Sequence, residues 1–277
     1  LSTGGTIAGR GATSTSLTEY QPGSIPGADL VAAVPEIAAI ATVHVEQIAN
    51  VAGPDITFAN WLTLARRINA LFEGDADVAG VVVTHGTNTL EETAYFLNLT
   101  VRSDRPVVLV GAMRPPTAIS ADGPLNLLNA VRTVLSPEAR GKGVLIVLND
   151  EINAARDGTK TNTYRVETFQ SPELGWLGYI DADRVTFYRS PTRRHTVQSE
   201  FDLEGVSTLP RVDILYCYIE PNPALIAAVV SSGAEGIVFA GTGAGFLSSV
   251  ERDALAPVLA LSPDRRPVIV RSNRTGN

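Results

Sequence analysis

Cysteine is nearly absent: the 277-residue chain holds one, Cys217. A lone cysteine excludes a disulfide framework and a cysteine-based metal site. Its setting in "DILYCYIEP" reads as a buried core thiol. Histidine is scarce too, and His44, His85 and His195 lie too far apart for the close pairing of a zinc motif. Lys and Arg form no block and the formal net charge is -7, which makes nucleic acid a poor partner. Apolar runs such as "VAGVVVTHG" and "PVVLVGAM" are too short to span a bilayer. The chain also lacks a G-x-S-x-G elbow, a P-loop and an H-E-x-x-H pair, which disfavours the familiar hydrolase and NTPase mechanisms. "GTGAG" (241–245) follows a strand pattern, but it has neither the spacing nor the acidic partner of a dinucleotide loop.

What is present is an ordinary globular composition, 44% hydrophobic and 18% charged. "DVAGVVVTHG" (77–86), "RPVVLVGA" (105–112) and "KGVLIVLND" (142–150) are apolar throughout, as parallel strands buried on both faces are. Amphipathic helices are expected between them. The segment from Thr57 to Phe72 sets Trp61, Leu64, Ile68 and Leu71 on one face, and "TLEETAYFLNLTV" and "GPLNLLNAVRTVL" follow the next two strands. This order predicts a doubly wound, mostly parallel α/β sheet. From Asp150 to about Leu209 the pattern dissolves, with short strands expected only around Tyr179 and Val185. A second βα series follows: "RVDILYCYI", a helix from Pro223 to Ser231, "EGIVFAGTG", a helix near 248–260, and "RPVIVRS". The expected organisation is an N-terminal α/β domain over 1–185, a connection over 186–210 and a smaller C-terminal α/β domain over 211–277. Both ends fall at strand patterns, so the sequence is expected to continue in each direction.

Ligands of open α/β sheets bind at the carboxyl ends of the strands. Three stretches are expected there: "TGGTIAG", "THGTNTLEET" and "GAMRPPTAISADGP". In the first, paired glycines let the backbone approach a ligand and present a hydroxyl outward, although a plain strand-to-loop turn would use the same residues. In the second, Thr87 or Thr89 is placed to cap the next helix, with Glu91 or Glu92 supporting its first turn. Thr87, beside Gly86, is better placed to face a ligand. "DGTKTNT" sets Lys160 among small polar residues. A solvated surface lysine and a lysine acting on a hydroxyl both fit that pattern.

Taken together, "TGGTIAG", "THGTNTLEETAYFL", "GAMRPPTAISADGPLNLLNAV" and "DGTKTNT" resemble the bacterial L-asparaginases, closest to the type II branch, in order and spacing across the chain. The resemblance implies a two-domain α/β fold, a homotetramer of intimate dimers, no cofactor, and hydrolysis of a side-chain amide through a threonine acyl-enzyme. It implies Thr6 as nucleophile, Tyr20 on a mobile loop (residues 10–27) as its assistant, and Thr87 and Lys160 as a second catalytic pair. Gly53, Pro54, Gly86, Asn88 and Ala112 are then expected at the substrate. A glutamate beyond Asn277 would complete the Thr6–Tyr20 site, and type II motifs lean towards the periplasm over the cytoplasm.

Three positions depart from the family's pattern. Asn88 stands where the family has an aspartate that receives the substrate's α-ammonium. Gly53-Pro54 replaces Ser followed by Gln or Glu. "GAGF", with Ala244 and Phe246, replaces a "GNGN"-like stretch lent by a neighbouring subunit. All three remove polar contacts from the amino-acid end of the substrate. The expected function is therefore an amidohydrolase acting on asparagine or a related amide. The alternatives are a hydrolase of an amide without a free α-amine, and an inactive ligand-binding homologue.

Overall fold

The computed structural model describes residues 1–275 and divides into two compact units, Leu1–Gly205 and Val206 onward. The first is built on an eight-stranded sheet. From one edge its order is Arg184–Phe187, Gly178–Asp181, Glu151–Ala154, Val144–Leu148, Val107–Val110, Val81–Thr84, Ser2–Gly4 and Gln47–Val51. The five strands from Val144–Leu148 to Gln47–Val51 run parallel, and the remaining three are antiparallel additions.

The apolar runs are uninterrupted because both faces are covered. Val108, Val110, Leu145 and Val147 face one core with Leu127 and Val131 of the helix Gly123–Leu135. Val107, Leu109, Val144 and Ile146 face a second core with Leu64 and Ile68 of Phe58–Gly74 and Leu90 and Leu97 of Leu90–Thr100. The buried residues of Phe58–Gly74 are Leu62, Leu64, Ala65, Ile68 and Phe72. Trp61 and Leu71 lie at their margin, because the buried stripe turns about the helix by one position. A capping box between Thr57 and Asn60 starts this helix.

The strand Glu151–Ala154 was not expected from the sequence. It pairs back on Val144–Leu148 through Asn149-Asp150, whose φ angles are 52° and 62°. Positive φ at both central residues is the geometry that two-residue hairpins require, and Asn and Asp tolerate it best after Gly. The edge strand Gln47–Val51 also escaped notice, since its half-exposed residues carry no continuous apolar run.

The second unit has a three-stranded parallel sheet, Val212–Tyr216, Gly236–Gly241 and Val268–Asn273. Its helices are Ala224–Ser231 and Ser249–Leu259. Cys217 lies in its core with Ile226, Ile237 and Phe239, and burial pushes the thiol up to about 12. Such a thiol is inert, as its apolar setting suggested. Among the described residues, no helix is long and apolar enough to cross a membrane.

The chain starts inside the sheet, at Ser2–Gly4, then visits the edge at Gln47–Val51 before crossing back to Val81–Thr84. Successive connections therefore leave Ser2–Gly4 in opposite directions. That reversal opens a crevice at the carboxyl ends of these strands. Leu109, fully buried at the centre of this sheet, provides a check on the core. Leu109→Ala should lower unfolding stability by about 2–5 kcal/mol in denaturant titration.

Candidate active site

Three loops meet in that crevice through their glycines. Gly5 follows the strand Ser2–Gly4, Gly53 follows Gln47–Val51, and Gly86 follows Val81–Thr84. An ideal Cβ on Gly5 would lie 2.2 Å from Gly86 Cα, and one on Gly86 would lie 2.8 Å from Gly53 Cα. Gly4 and Gly5 also have φ of 105° and 82°, a region that side-chain-bearing residues rarely enter. The backbones touch because no side chain is there to part them. Thr6 and Thr87, each next after a stacked glycine, are thereby brought to neighbouring loops.

Thr6 begins a single helical turn, Thr6–Ala8, and is buried. Its Oγ1 lies 2.6 Å from the Tyr20 hydroxyl. Tyr20 sits on a short hairpin, Arg10–Gly11 with Tyr20–Gln21, and its ring lies over Gly9. Hydrogen bonds tie this loop to its surroundings. Gly11 N donates to Thr117 Oγ1 at 2.8 Å, Ile119 N to Ser14 O at 2.8 Å, and Ser24 N to Ala8 O at 2.7 Å.

Lys160 is half-buried, and its Nζ donates to Thr87 Oγ1 at 2.8 Å. Asn88 Oδ1 stands farther off, at 3.5 Å. Burial lowers the Lys160 pKa, against the opposing pull of Glu91. The lysine is therefore bonded to a buried hydroxyl and easier to deprotonate than one in water.

Glu91 differs from its expected capping role. It reaches across to the Thr159–Lys160 segment, where Oε1 accepts from Thr159 Oγ1 at 2.9 Å and Oε2 from Lys160 N at 2.5 Å. Thr89 occupies the cap position but its hydroxyl donates to Gly53 O at 2.7 Å, tying two of the glycine loops together. Gly53 is buried and Pro54 exposed in the single turn Gly53–Asp55, so neither supplies a polar side chain. Ala112 is fully buried with its methyl in the core, leaving its backbone as the part able to meet a ligand. In the second unit, Ala244 lies in a turn closed by a Thr242–Phe246 bridge, and Phe246 is exposed. Among the described residues, no cluster of three His, Cys, Asp or Glu side chains could hold a metal.

Beneath Gly86 lies a relay that sequence reasoning missed. Trp61 Nε1 donates to Thr93 Oγ1 at 2.7 Å, and Thr93 Oγ1 is 2.9 Å from His85 Nε2. His85 Nδ1 is 2.8 Å from Gly86 O. Indole N–H only donates and a carbonyl only accepts. Thr93 therefore accepts from Trp61 and gives its proton to Nε2, and Nδ1 carries the proton that Gly86 O receives. Every group is satisfied only with a neutral imidazole. Burial agrees, pushing the His85 pKa down to about 4.

Family models match in two blocks: "Asparaginase, N-terminal" over residues 1–193 and "Glutaminase/Asparaginase C-terminal domain" over residues 211–277. L-asparaginase 2 of Bacillus subtilis is 53% identical over 278 residues, spanning 100% of this chain and 72% of that protein. A probable periplasmic L-asparaginase of Haemophilus influenzae is 45% identical, over 99% of this chain and 76% of its own length. The crystal structure of a probable cytoplasmic L-asparaginase from Campylobacter jejuni superposes with a TM-score of 0.95 at 45% identity, covering 99% of this chain and 82% of that one.

The relay sets a pH dependence. An unfolded chain protonates histidine near 6.5, whereas the folded one resists until about 4. Stability from His85 is therefore fully present above the unfolded value and is lost as pH falls through the folded one. Denaturant midpoints measured across that window should fall towards acid, and less steeply in His85→Gln.

Proposed function

The chain belongs to the asparaginase family, and on that footing we propose that it hydrolyses the side-chain amide of L-asparagine or a related amide through a threonine acyl-enzyme. As a family member it is a hydrolase acting on amides. The observation that carries the finer reading is the pair of hydroxyl contacts in one crevice, Thr6 with Tyr20 and Thr87 with Lys160. Thr6 Oγ1 attacks the amide carbon while Tyr20 takes part in moving its proton. The C–N bond breaks and ammonia leaves carrying a proton. Water then opens the ester to release the carboxylate, regenerating Thr6. A hydroxyl is a weak nucleophile on its own, and both threonines are paired with a group able to exchange their proton.

The amino-acid end is where this chain differs. Asn88 keeps hydrogen-bonding capacity without charge, and Gly53-Pro54 offers no side-chain polar group to an α-amine or α-carboxylate. An α-ammonium there lacks a counter-charge in a partly desolvated pocket, a cost of kilocalories rather than tenths. An amide whose amine is acylated or absent escapes that cost. Its relatives include one protein named periplasmic and one named cytoplasmic, and the compartment stays open between the two. The assembly we propose is a homotetramer of intimate dimers, to be read by sedimentation.

Ammonia release from a panel of amides tests the reaction, and Thr6→Ala should abolish it. A wild-type protein that releases no ammonia from any of them would favour the ligand-binding alternative. Asn88→Asp should lower KM for free asparagine by about tenfold or more, with little change or a loss on its N-acetylated or des-amino analogue. Gly53→Ser should not act independently of it, because a Cβ on Gly53 would come within 3.2 Å of Asn88 Cβ. Steady-state kinetics of both single variants and the double variant read that coupling.

Glu91→Gln removes the charge that opposes the lowering of the Lys160 pKa. The acidic limb of activity, set by a Lys160 that acts in its neutral form, should shift to lower pH in a kcat profile. Glu91→Asp should keep the limb closer to its place.

A further inference from the structure

A cavity of about 200 Å³ opens in the first unit away from the glycine crevice. Arg156, Arg189 and Arg193 line it, with Asp157, Ser190 and His195. No ion pair among the described residues includes any of the three arginines. In a chain of net charge -7, an unneutralised arginine cluster stands out electrostatically.

Two of the guanidiniums are already set in place by neutral groups. Arg189 donates to Trp176 O through Nε at 3.1 Å and Nη2 at 2.6 Å. That approach depends on Gly175, with φ of 71°, where an ideal Cβ would lie 2.7 Å from Arg189 Nη2. Arg156 lies 5.2 Å from the centre of the Tyr95 ring. Arg193 has no partner among the described hydrogen bonds and ion pairs, and Ser190 supplies a hydroxyl held by Lys142. One carboxylate, Asp157, faces these cations. Burial raises its pKa, against the pull of Arg156 and Arg189. His195, buried on the cavity wall and 3.0 Å from Thr196 Oγ1, has its pKa lowered by burial and adds no fixed charge at neutral pH.

We infer that this cavity is a binding site for a small dianion, a dicarboxylate or inorganic phosphate, held by the forked donors of Arg156, Arg189 and Arg193. Guanidinium forks suit both oxyanions, which they meet with paired N–H bonds. The volume admits either molecule. Occupation also has a short route to the crevice. Arg156-Asp157 ends in a turn closed on Ala154 O by Asp157 N at 3.0 Å and Gly158 N at 2.9 Å, and Thr159-Lys160 follows directly. Tyr95, which carries Arg156, and Asn98, on the cavity wall, share the helix Leu90–Thr100 with Glu91.

The test is isothermal titration of the intact protein with inorganic phosphate and, separately, with malonate, using acetate as a monoanion control. Saturable binding of phosphate, malonate or both, weakened by about tenfold or more in Arg193→Ala and in Arg156→Ala, supports the site. Partial recovery in Arg193→Lys fits a loss of charge rather than of fold. A higher affinity for malonate assigns the site to dicarboxylates, and the reverse order assigns it to phosphate. Absence of saturable heat with both dianions, or a Kd unchanged in both arginine variants, overturns it. Heat that persists in the variants belongs to the crevice and counts against the cavity. Binding is read without turnover, so an absence of amidase activity would leave this result intact.

Discussion

Everything at the crevice depends on the backbones of Gly5, Gly53 and Gly86 standing in direct contact. The contact is a constraint more than an attraction. Any side chain at Gly5 would collide with the main chain of Gly86, which no rotamer change relieves. Once the three loops are pressed together, Thr6 and Thr87 have fixed neighbours, and the hydroxyl of Thr89 can lock the arrangement by bonding Gly53 O. The sheet supplies the force for this packing. Its central strands are buried on both faces, so the loops inherit the rigidity of two cores rather than of one surface.

Charge at Lys160 follows from the same packing. With Asn88 neutral, Glu91 is the carboxylate that acts on the lysine, and it does so from the backbone side, through Lys160 N and Thr159. The counter-charge here therefore stands on the supporting side of Lys160. Such a carboxylate steadies the lysine without being available to an incoming ammonium. The proposed change in recognition at the amino-acid end would therefore leave the lysine's setting in place.

Much of this was legible in the sequence because it is local. Unbroken apolar runs announce parallel strands, and the Gly-Thr steps after them mark the two threonines of the crevice, although both are buried rather than presented outward. The approach of Lys160 to Thr87 was legible only through resemblance, since polar loop sequence offers a lysine no periodicity to be read by. Glu91 lies in the first helical turn as expected, but its bonds to residues 68 and 69 positions away leave no mark on spacing. The relay from Trp61 through Thr93 to His85 was hidden for the same reason. Each member looks ordinary in its own segment. Asn149-Asp150 did carry a signal, two residues tolerant of positive φ between apolar neighbours, and it was overlooked because the next strand is short and mixed.

The chain has two tryptophans, and the fold assigns them separate duties. The indole of Trp61 is hydrogen-bonded into the relay beneath Gly86 and stacks on Phe96 at 5.0 Å. Trp176 grips Arg189 through its carbonyl beside the arginine cavity. The molecule therefore contains one intrinsic fluorophore beneath the crevice and another in the segment that holds Arg189. With Trp176 changed to Phe, the remaining emission would come from the floor of the crevice alone. With Trp61 changed instead, it would come from Trp176, whose backbone holds Arg189. Events at the two places become optically separable without attaching any label.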